Sequence, residues 1–476
     1  MECWVKSWEG YWMSTNLFNP SDKRSYPSRW PLYRGKQLFR VIDERSEDGT
    51  EELLSVSHIT GITPRSQKNV TMFQAESLVG YKLCQIGDIA ANTMWTWQGA
   101  IGVSDYTGVV SPAYNVYRQN GDIFNPRFLD MLLRERGLID VYHSLSTGIR
   151  PSRLRLYPDV FLTICFPVPA RDEQDQIVRY LDWKVSGINN LIINHKRKIA
   201  LLNEMKQNLI DQAVIKGIDN SVIAHNDDIR WDIDYPKHWG IQRIRETFRF
   251  RKGLSITKAN LEESGIAVIS YGQIHSKKNS GVRLNSDLIR YVSPAYLTSN
   301  SSSLVEKGDF IFADTSEDVA GCGNCAYIDW DEPIFAGYHS IIAHPNGFMD
   351  SKYLAYLFQS PTWRYQIRKK VNGVKVYSIT QRMLKDAFIL IPPSDEQAKI
   401  VNYLDGICLQ IDVLIEKENR KINDLQDLKT QIIADTVTGK IDVRDIEIPD
   451  HEYVADEIDA ASDEDAGMEE TDEQEE

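Results

Sequence analysis

The sequence DEQDQIVRYLD at residues 172–182 returns as DEQAKIVNYLD at residues 395–405. The similarity continues without a gap over residues 172–219 and 395–442, where 20 of the 48 aligned positions are identical. A gapless match of this length does not arise by chance, and an internal repeat indicates a repeated structural unit. The chain is therefore expected to contain one architecture twice.

The repeat extends far upstream of these two segments. The pattern Tyr-Pro-x-x-Trp occurs at residues 26–30 and again at residues 235–239. A Gly-Asp pair follows in each copy, at residues 87–88 and 308–309, and prolines close each copy just before the Asp-Glu-Gln motif. The offset between the copies grows from 209 at the start to 223 at the end, so the second copy carries more residues in its interior. The ends match while the middles differ.

The two matched C-terminal segments predict long helices. Their apolar residues recur at alternating steps of four and three, the spacing of a coiled-coil seam. Proline ends the preceding strand, and the acidic residues of Asp-Glu-Gln suit the positive end of a helix. The seam residues expected to form a coiled coil, and to contact a partner, are Leu181, Ile188, Ile192, Ile199, Leu202, Leu404, Ile411, Ile415, Ile422 and Leu425.

Both seams contain polar residues at the same two positions. These are His195 and Lys206 in the first helix, and Glu418 and Lys429 in the second. A polar residue inside such a seam can fix register and partner at a cost in stability. The alternative is that all four side chains reach solvent from the edge of the seam.

The middles of the two copies differ from the helical segments in their pattern. Short strand-like runs, such as residues 161–166, 310–313 and 388–391, alternate with Gly, Ser and Asn turns. One amphipathic helix is predicted in each copy, near residues 126–145 and 351–370. The fold class is therefore α/β (α+β), with two tandem-repeated globular domains of irregular mixed sheet, each followed by a long helix.

This layout resembles the specificity subunits of type I restriction-modification systems. The resemblance covers residues 26–442 and rests on the Tyr-Pro-x-x-Trp pattern, the Gly-Asp pair, the proline exit and the Asp-Glu-Gln helix, all present twice. It implies that each globular unit is a target recognition domain for one half of a bipartite DNA site. It also implies that the two helices pack as an antiparallel coiled coil, hold the domains apart and dock two methyltransferase subunits.

The resemblance gives a predicted division of the chain. The segments are an N-terminal extension (1–25), target recognition domain 1 (26–170), a first spacer helix (171–219), a linker (220–234), target recognition domain 2 (235–392), a second spacer helix (393–442) and an acidic disordered tail (443–476). Because the middles of the two domains differ, the target they read should be asymmetric. A symmetric homodimer could not read such a target.

Charge is distributed unevenly along the chain. Its 54 Lys and Arg against 68 Asp and Glu give a net charge of −14. Residues 445–476 hold 16 acidic side chains and no Lys or Arg, which leaves +2 on the preceding residues. A like-charged block with few large apolar residues cannot bury enough surface to fold. The tail is expected to solubilise the chain, or alternatively to compete with DNA for a basic surface.

Composition excludes several other classes of protein. No run of 18 uncharged apolar residues exists to span a bilayer, and the opening residues lack the apolar core of a signal peptide. The six cysteines, at positions 3, 84, 165, 322, 325 and 408, are too scattered to suggest a disulfide framework. A cytoplasmic protein with free thiols is expected.

Candidate DNA contacts are Arg and Lys side chains, which bind phosphates and guanine edges. One cluster follows the predicted middle helix at the same place in both copies, and comprises Arg150, Arg153, Arg155, Arg368, Lys369, Lys370 and Lys375. A second set lies in polar loops and comprises Arg65, Lys68, Lys277 and Lys278. Any single cation among them could equally be a solvated surface charge.

Enzymatic alternatives find little support in the sequence. The Asn-Pro-Arg-Phe run at residues 125–128 lacks the second proline of an adenine methyltransferase loop. The glycines of residues 321–326 are better explained by a hairpin turn than by a nucleotide-binding loop, and the single Cys-x-x-Cys lacks a second pair for zinc. We expect no catalytic residue, metal site or cofactor in this chain. The resemblance assigns S-adenosylmethionine, ATP and Mg to methyltransferase and restriction subunits, and a non-catalytic coiled-coil scaffold is the remaining alternative.

Overall fold

The structure is a computed structural model. It describes residues 26–67, 77–149, 154–219, 223–225, 231–347, 349–373 and 375–455. The chain divides into two compact units. The first unit comprises the residues up to His195 together with those from Arg420 onward, and the second comprises Lys196–Asn419. Each unit is therefore built from one globular domain and parts of two long helices.

The two long helices span Arg171–Lys216 and Ser394–Val437. Within the second unit they run antiparallel, as shown by an ion pair between Lys206 and Asp412 at 2.7 Å. Glu418 is buried there and accepts a hydrogen bond from Lys198 at 2.8 Å. All ten predicted seam residues are buried or half-buried. The coiled-coil spacing thus marks the face on which each helix is covered by its own unit.

The first unit contains a four-stranded antiparallel sheet and three pairs of strands. The sheet has the order Phe39–Ile42, Asn115–Gln119, Ile89–Ala91 and Ile101–Val103. The pairs are Leu32–Arg34 with Cys165–Pro167, Leu54–Ser57 with Gly61–Pro64, and Lys82–Cys84 with Gly108–Val110. Its shorter helices are Gly35–Leu38, Pro126–Leu133, Arg136–Leu145 and Pro158–Phe161, with 3₁₀ turns at Arg65–Gln67 and Thr96–Gln98.

The second unit repeats this sheet and joins further strands into a second sheet, whose counterparts in the first unit are strand pairs linked by a parallel bridge between Leu53 and Val109. The repeated sheet has the order Phe248–Lys252, Ser340–Pro345, Phe310–Ala313 and Cys325–Tyr327. This second, mixed sheet has the order Arg290–Val292, Ile266–Ile269, Ile334–Ala336 and Leu304–Val305. The pairs are Gly240–Arg243 with Phe388–Ile391, Thr315–Ser316 with Tyr377–Ser378, and Ile223–His225 with Asp234–Pro236.

The shorter helices of the second unit lie mostly at the ends of these strands. They are Ile244–Thr247, Tyr271–Ile274, Tyr296–Ser299, Ser351–Gln359, Pro361–Arg368 and Gln381–Lys385. Further 3₁₀ turns span Lys258–Asn260, Ser286–Leu288 and Ser301–Ser303. Most of the extra residues of the second sequence copy lie between the strand Phe248–Lys252 and Gly308, because the offset between the copies is 209 at Phe248 and 221 at Gly308.

The end of each long helix packs on a Tyr-Pro-x-x-Trp segment. In the first unit, the left-handed Gly439 follows the second long helix and lies so close to Pro27 that a Cβ would overlap its ring. In the second unit, the left-handed Gly217 lies beside Trp239 in the same way. Each glycine ends its helix in a conformation that other residues rarely adopt, as is common one residue past a helix.

The structure corrects the prediction of a single middle helix in each copy. In the second unit the helix breaks at Ser360, which ends one helix and whose side chain caps the next by accepting from the Trp363 amide. Pro361 follows and has no amide hydrogen to continue the first helix. In the first unit Glu135 caps the second of two helices through the Leu138 amide. The predicted strand at residues 161–166 is also wrong in part, because Phe161 ends a helical turn and the strand begins at Cys165.

The predicted start of the disordered tail at residue 443 is wrong. Residues 441–455, here called the C-terminal strap, pack on the first long helix within the first unit. Side chains of that helix hold the strap backbone through hydrogen bonds of 2.8 to 3.1 Å, and they are Gln176, Ser186 and Asn189. The apolar strap residues that join the core are Ile441, Val443, Ile446 and Ile448. The burial of these apolar side chains stabilises the packed strap, although acidic residues are in excess in this part of the chain. Residues 456–476 lie outside the described part of the chain.

Candidate nucleic-acid interface

The repeated glutamine of Asp-Glu-Gln joins each long helix to its domain. Gln174 is fully buried, donates to the Pro169 carbonyl at 2.9 Å and accepts from the Asn125 amide at 2.7 Å. Gln397 donates to the Pro392 carbonyl and accepts from the Asp350 amide, both at 2.8 Å. Because both contacts are internal, we assign this motif to holding the frame rather than to reading a ligand.

The repeated glutamates of the Asp-Glu-Gln motif also join each long helix to its domain. Glu173 accepts from Arg29 at 2.7 Å, and Glu396 accepts from the Trp239 ring nitrogen at 2.8 Å. Each contact ties the start of a long helix to the Tyr-Pro-x-x-Trp segment of its own domain. The repeated residues at these positions therefore build the same scaffold in both units.

The repeated Gly-Asp pair lies inside the four-stranded sheets. Asp88 is buried and receives two hydrogen bonds from Arg118, at 2.6 and 2.8 Å. This pairing raises the pKa of Arg118. Asp309 is buried between Arg251 at 3.3 Å and His344 at 2.6 Å. Charges paired in this way are committed to the fold and do not face a ligand.

The basic cluster of the second unit lies at the end of the helix Pro361–Arg368. Arg368 is half-buried and donates to the Ala320 carbonyl, and burial lowers its pKa. Burial likewise lowers the pKa of Lys370, while Lys369 is exposed and lies over the Tyr365 ring at 5.7 Å. Lys375 is exposed. Lys369 and Lys375 therefore have the accessibility that a phosphate contact needs, whereas Arg368 is partly used in the fold.

The corresponding cluster of the first unit is only partly described. Arg155 is exposed, and its backbone forms two hydrogen bonds of 3.0 Å with Thr147. Arg150, Arg153 and Lys68 lie outside the described residues. Arg65 is half-buried at the start of a 3₁₀ turn. The described residues Thr147 and Arg155 thus follow the middle helices of the first unit, as Lys375 follows those of the second.

The two predicted loop lysines of the second unit differ in their surroundings. Lys278 pairs with Asp287 at 2.9 Å, and both side chains are exposed. Lys277 is exposed and lines a cavity of about 340 Å³. The geometry separates neighbouring residues that the sequence could not distinguish.

A loop of the four-stranded sheet contacts the residues just after the basic segment in each unit. In the second unit the Asp314 carbonyl accepts from the Ile379 amide at 2.7 Å, and Thr315 and Ser316 pair with the strand Tyr377–Ser378. In the first unit the Thr93 carbonyl accepts from the Leu156 amide at 3.3 Å. We call each combination of sheet loop and basic segment a reading edge. Both units present one at the equivalent place.

The reading edges carry different side chains. In the first unit Trp95 and Trp97 are half-buried, with ring centroids 6.3 Å apart, and Trp97 lies 5.4 Å from His143. In the second unit the exposed His339 lies 3.2 Å from Asp314 and 5.5 Å from the Tyr271 ring. His339 has a φ of 53°, a strained value for a residue with a side chain. Strain of this kind is found where a side chain must be held in one place.

Comparison with known proteins shows which proteins this chain is similar to. Residues 236–425 match the family model described as the type I restriction modification DNA specificity domain. The chain is 23% identical over 343 residues to the MjaVIII specificity subunit of Methanocaldococcus jannaschii, covering 71% of this chain and 76% of the relative. It is 23% identical over 313 residues to the EcoKI specificity subunit of Escherichia coli, covering 63% and 62%.

The resemblance to type I specificity subunits is confirmed.

The fold agrees with this assignment. A chain from a structure of the type I R-M system, described as showing its complex assembly and conformational transition, superimposes with a TM-score of 0.59 at 17% identity. The match covers 87% of this chain and 99% of the other. The present chain therefore has the same architecture of two domains with long helices, built from mixed helix and sheet, as the sequence predicts.

The sequence alone did not point to the residues that distinguish the two reading edges of this chain. The run Met94-Trp95-Thr96-Trp97 is conspicuous in the sequence, since two tryptophans in a loop are uncommon. No comparable signal marks His339, because its backbone conformation and its distance from Asp314 depend on the fold. Within the described residues no helix is long and apolar enough to cross a membrane.

Proposed function

We propose that this chain reads an asymmetric, two-part DNA sequence for a type I restriction-modification complex, one half-site with each unit. The observation that carries the proposal is one frame with two different reading edges. The frame contacts of Gln174 and Gln397 are the same. The reading edges present tryptophans in one unit and His339 with Asp314 in the other. Different donors, acceptors and apolar groups at one place on a shared frame are suited to different base pairs.

The cations at each edge supply the sequence-independent part of binding. Exposed Lys369 and Lys375 in the second unit, and Arg155 in the first, are suited to phosphate contacts. Such contacts position a protein on DNA and make its affinity fall with salt. The base-reading residues then discriminate among the sites that these cations bind.

The chemistry of methylation and cleavage is proposed to lie in partner subunits. The partners are two methyltransferase subunits that use S-adenosylmethionine, together with ATP- and Mg-dependent restriction subunits, in the cytoplasm. This chain would be non-catalytic. Its predicted seam residues are covered by the chain itself, so the partner surface should be the exposed apolar side chains of the long helices. In the second unit these are Leu201, Met205, Leu409, Val413 and Leu414.

The test is to co-express this chain with its companion methyltransferase in an unmethylated host and to map modified adenines across the genome. The expected result is a single asymmetric bipartite motif that is absent when this chain is omitted. A matched control carries Lys375→Ala, which should lower affinity for all sequences alike and reduce the salt slope by about one unit. The proposal would be contradicted if a methyltransferase that is active, and that binds this chain when both are present, methylated the same sites when this chain is omitted.

A further inference from the structure

The second unit contains a polar cavity that the reading edges do not use. It has a volume of about 340 Å³, at the lower end of the range of roughly 300 to 1,000 Å³ typical of small-molecule sites. Its lining includes Asn203 and Gln207 of the first long helix and Lys277 of a loop. Tyr356 and Arg364 of the two middle helices complete the lining.

The lining of this cavity is positively charged. It includes Lys206, Lys277 and Arg364 and contains no Asp or Glu. Lys206 is neutralised by Asp412, which lies 2.7 Å from it outside the lining. Lys277 and Arg364 therefore provide the excess positive charge that faces the cavity.

Arg364 is held in place by neutral groups. Its guanidinium donates to the Phe358 carbonyl at 2.8 Å and to the side-chain oxygen of Gln359. Among the described residues no carboxylate acts on it, and burial lowers its pKa to about 10. A cation that is half-buried without a counter-ion is costly unless an anion is supplied from elsewhere.

His275 adds a fixed neutral wall next to these cations. One ring nitrogen, Nε2, lies 2.8 Å from the Thr315 carbonyl and must donate to it. The other, Nδ1, lies 3.2 Å from the Asn324 side-chain nitrogen and must accept from it. Because both nitrogens are engaged, the ring is held as one tautomer and leaves the two cations to meet a ligand.

We infer that this cavity binds a phosphate ester of about nucleotide size, with its phosphate between Lys277 and Arg364. Arg364 offers a planar set of donors that suits phosphate oxygens, and Lys277 offers a mobile ammonium group from the loop. Asn203 and Gln207 also line the cavity, and their amide side chains can bind the polar groups of the ester. A bare phosphate would leave most of the cavity unfilled.

The phosphate can belong to a free mononucleotide or to a DNA strand. The free-ligand source is independent of the proposed function, whereas the DNA source rests on it. Titration of the full chain with AMP and with inorganic phosphate, followed by calorimetry, addresses the first source. Titration with duplex DNA, followed by fluorescence anisotropy in the presence and absence of AMP, addresses the second.

The variants are Lys277→Ala, Arg364→Gln and the control Lys307→Ala, whose side chain pairs with Asp331 outside the cavity. Losing one charged contact should weaken AMP binding by about tenfold for the first two and leave the control unchanged. If Arg364→Gln fails to fold, Lys277→Ala alone decides, since Lys277 is exposed.

The outcomes separate the sources. AMP binding that depends on Lys277 supports a free nucleotide. A lack of AMP binding, with DNA affinity lowered by Lys277→Ala but not by Lys307→Ala, supports a DNA phosphate. If neither AMP, phosphate nor DNA affinity responds to Lys277→Ala, the inference is overturned. Wild-type DNA binding in that last case would leave the proposed function intact.

Discussion

At the scale of single residues, the repeated motifs are structural. Gln174 and Gln397 each satisfy a partly buried amide and a buried carbonyl at the point where a long helix leaves its domain. A glutamine is suited to this position because its side chain both donates and accepts. The repetition therefore reflects one way of fastening a helix rather than a repeated ligand site.

Replacing Gln174 or Gln397 by Leu should lower the free energy of unfolding by about 1 to 3 kcal/mol, because buried polar groups lose their partners. Urea denaturation followed by circular dichroism measures this. Gln410→Leu, on an exposed position of the second long helix, is the matched control and should change stability by about 0.5 kcal/mol or less. Equal effects at all three positions would contradict the assignment.

His339 allows strain and recognition to be tested separately. Its φ of 53° is favourable for glycine, so His339→Gly should keep or raise stability by up to about 1 kcal/mol. His339→Ala retains the strain. If His339 contacts a base, both variants should weaken specific DNA binding by about tenfold, as measured by anisotropy against a non-specific duplex. Unchanged specific affinity in both variants would remove His339 from the interface.

At the scale of elements, the sequence predicted the long helices well. Proline, the acidic first turn and the seam spacing all act within one segment, so their effect can be read locally, and the helices begin at Arg171 and Ser394. The middle helices were predicted less well. Their periodicity continues across Ser360, while the break there also depends on Asp211 of the first long helix, which accepts from Thr362 at 3.0 Å. A contact so distant in sequence leaves no periodic signal.

The candidate site could be predicted only in outline. The repeated position of the basic segments was visible, but the pairing of Lys278 with Asp287 and the partial burial of Arg368 were not. Both depend on residues brought together by the fold. The many acidic residues near the C-terminus predicted a disordered tail that included the strap. The few apolar side chains of the strap are buried only because the first long helix, distant in sequence, packs on them.

Substitutions in the long helices should lower stability on the face that forms the seam and not on the exposed face. Ile411 is 3% exposed and Leu409 is 64% exposed, although they lie two residues apart. Ile411→Ala should cost about 2 to 4 kcal/mol, because it leaves a cavity. Leu409→Ala should have almost no effect on the isolated chain. Thermal denaturation of the two variants checks this, and a greater loss for Leu409→Ala would show that the covered face has been misplaced.

The strap should stabilise the first unit. A chain that ends at Lys440 loses the buried side chains of Val443 and Ile446 and should lose about 2 to 4 kcal/mol of stability. A chain that ends at Ala455 keeps every described strap contact and serves as the control. Differential scanning calorimetry compares the two with the full chain. A chain ending at Lys440 that is as stable as the control would show that the strap contributes nothing.

At the scale of the whole molecule, the two units share a frame but not a reading edge. Exchanging residues 235–392 for the equivalent domain of a relative should therefore change one half of the methylated motif and leave the other half intact. Mapping of modified adenines in the co-expressing host checks this outcome. A change in both halves, or in neither, would contradict a one-unit, one-half-site relation, provided that the exchanged chain still binds its methyltransferase.

The close contact of Gly439 with Pro27 has a consequence for the order of the chain. It matches the contact of Gly217 with Trp239, which the chain itself bridges through a short connection. Joining residue 442 to residue 26 by a connection of similar length, and opening the chain after residue 219, would give a circular permutant. In that permutant the second domain would precede the first while every helix end kept its neighbour. The order of the two domains in the gene is thus interchangeable as far as the fold is concerned.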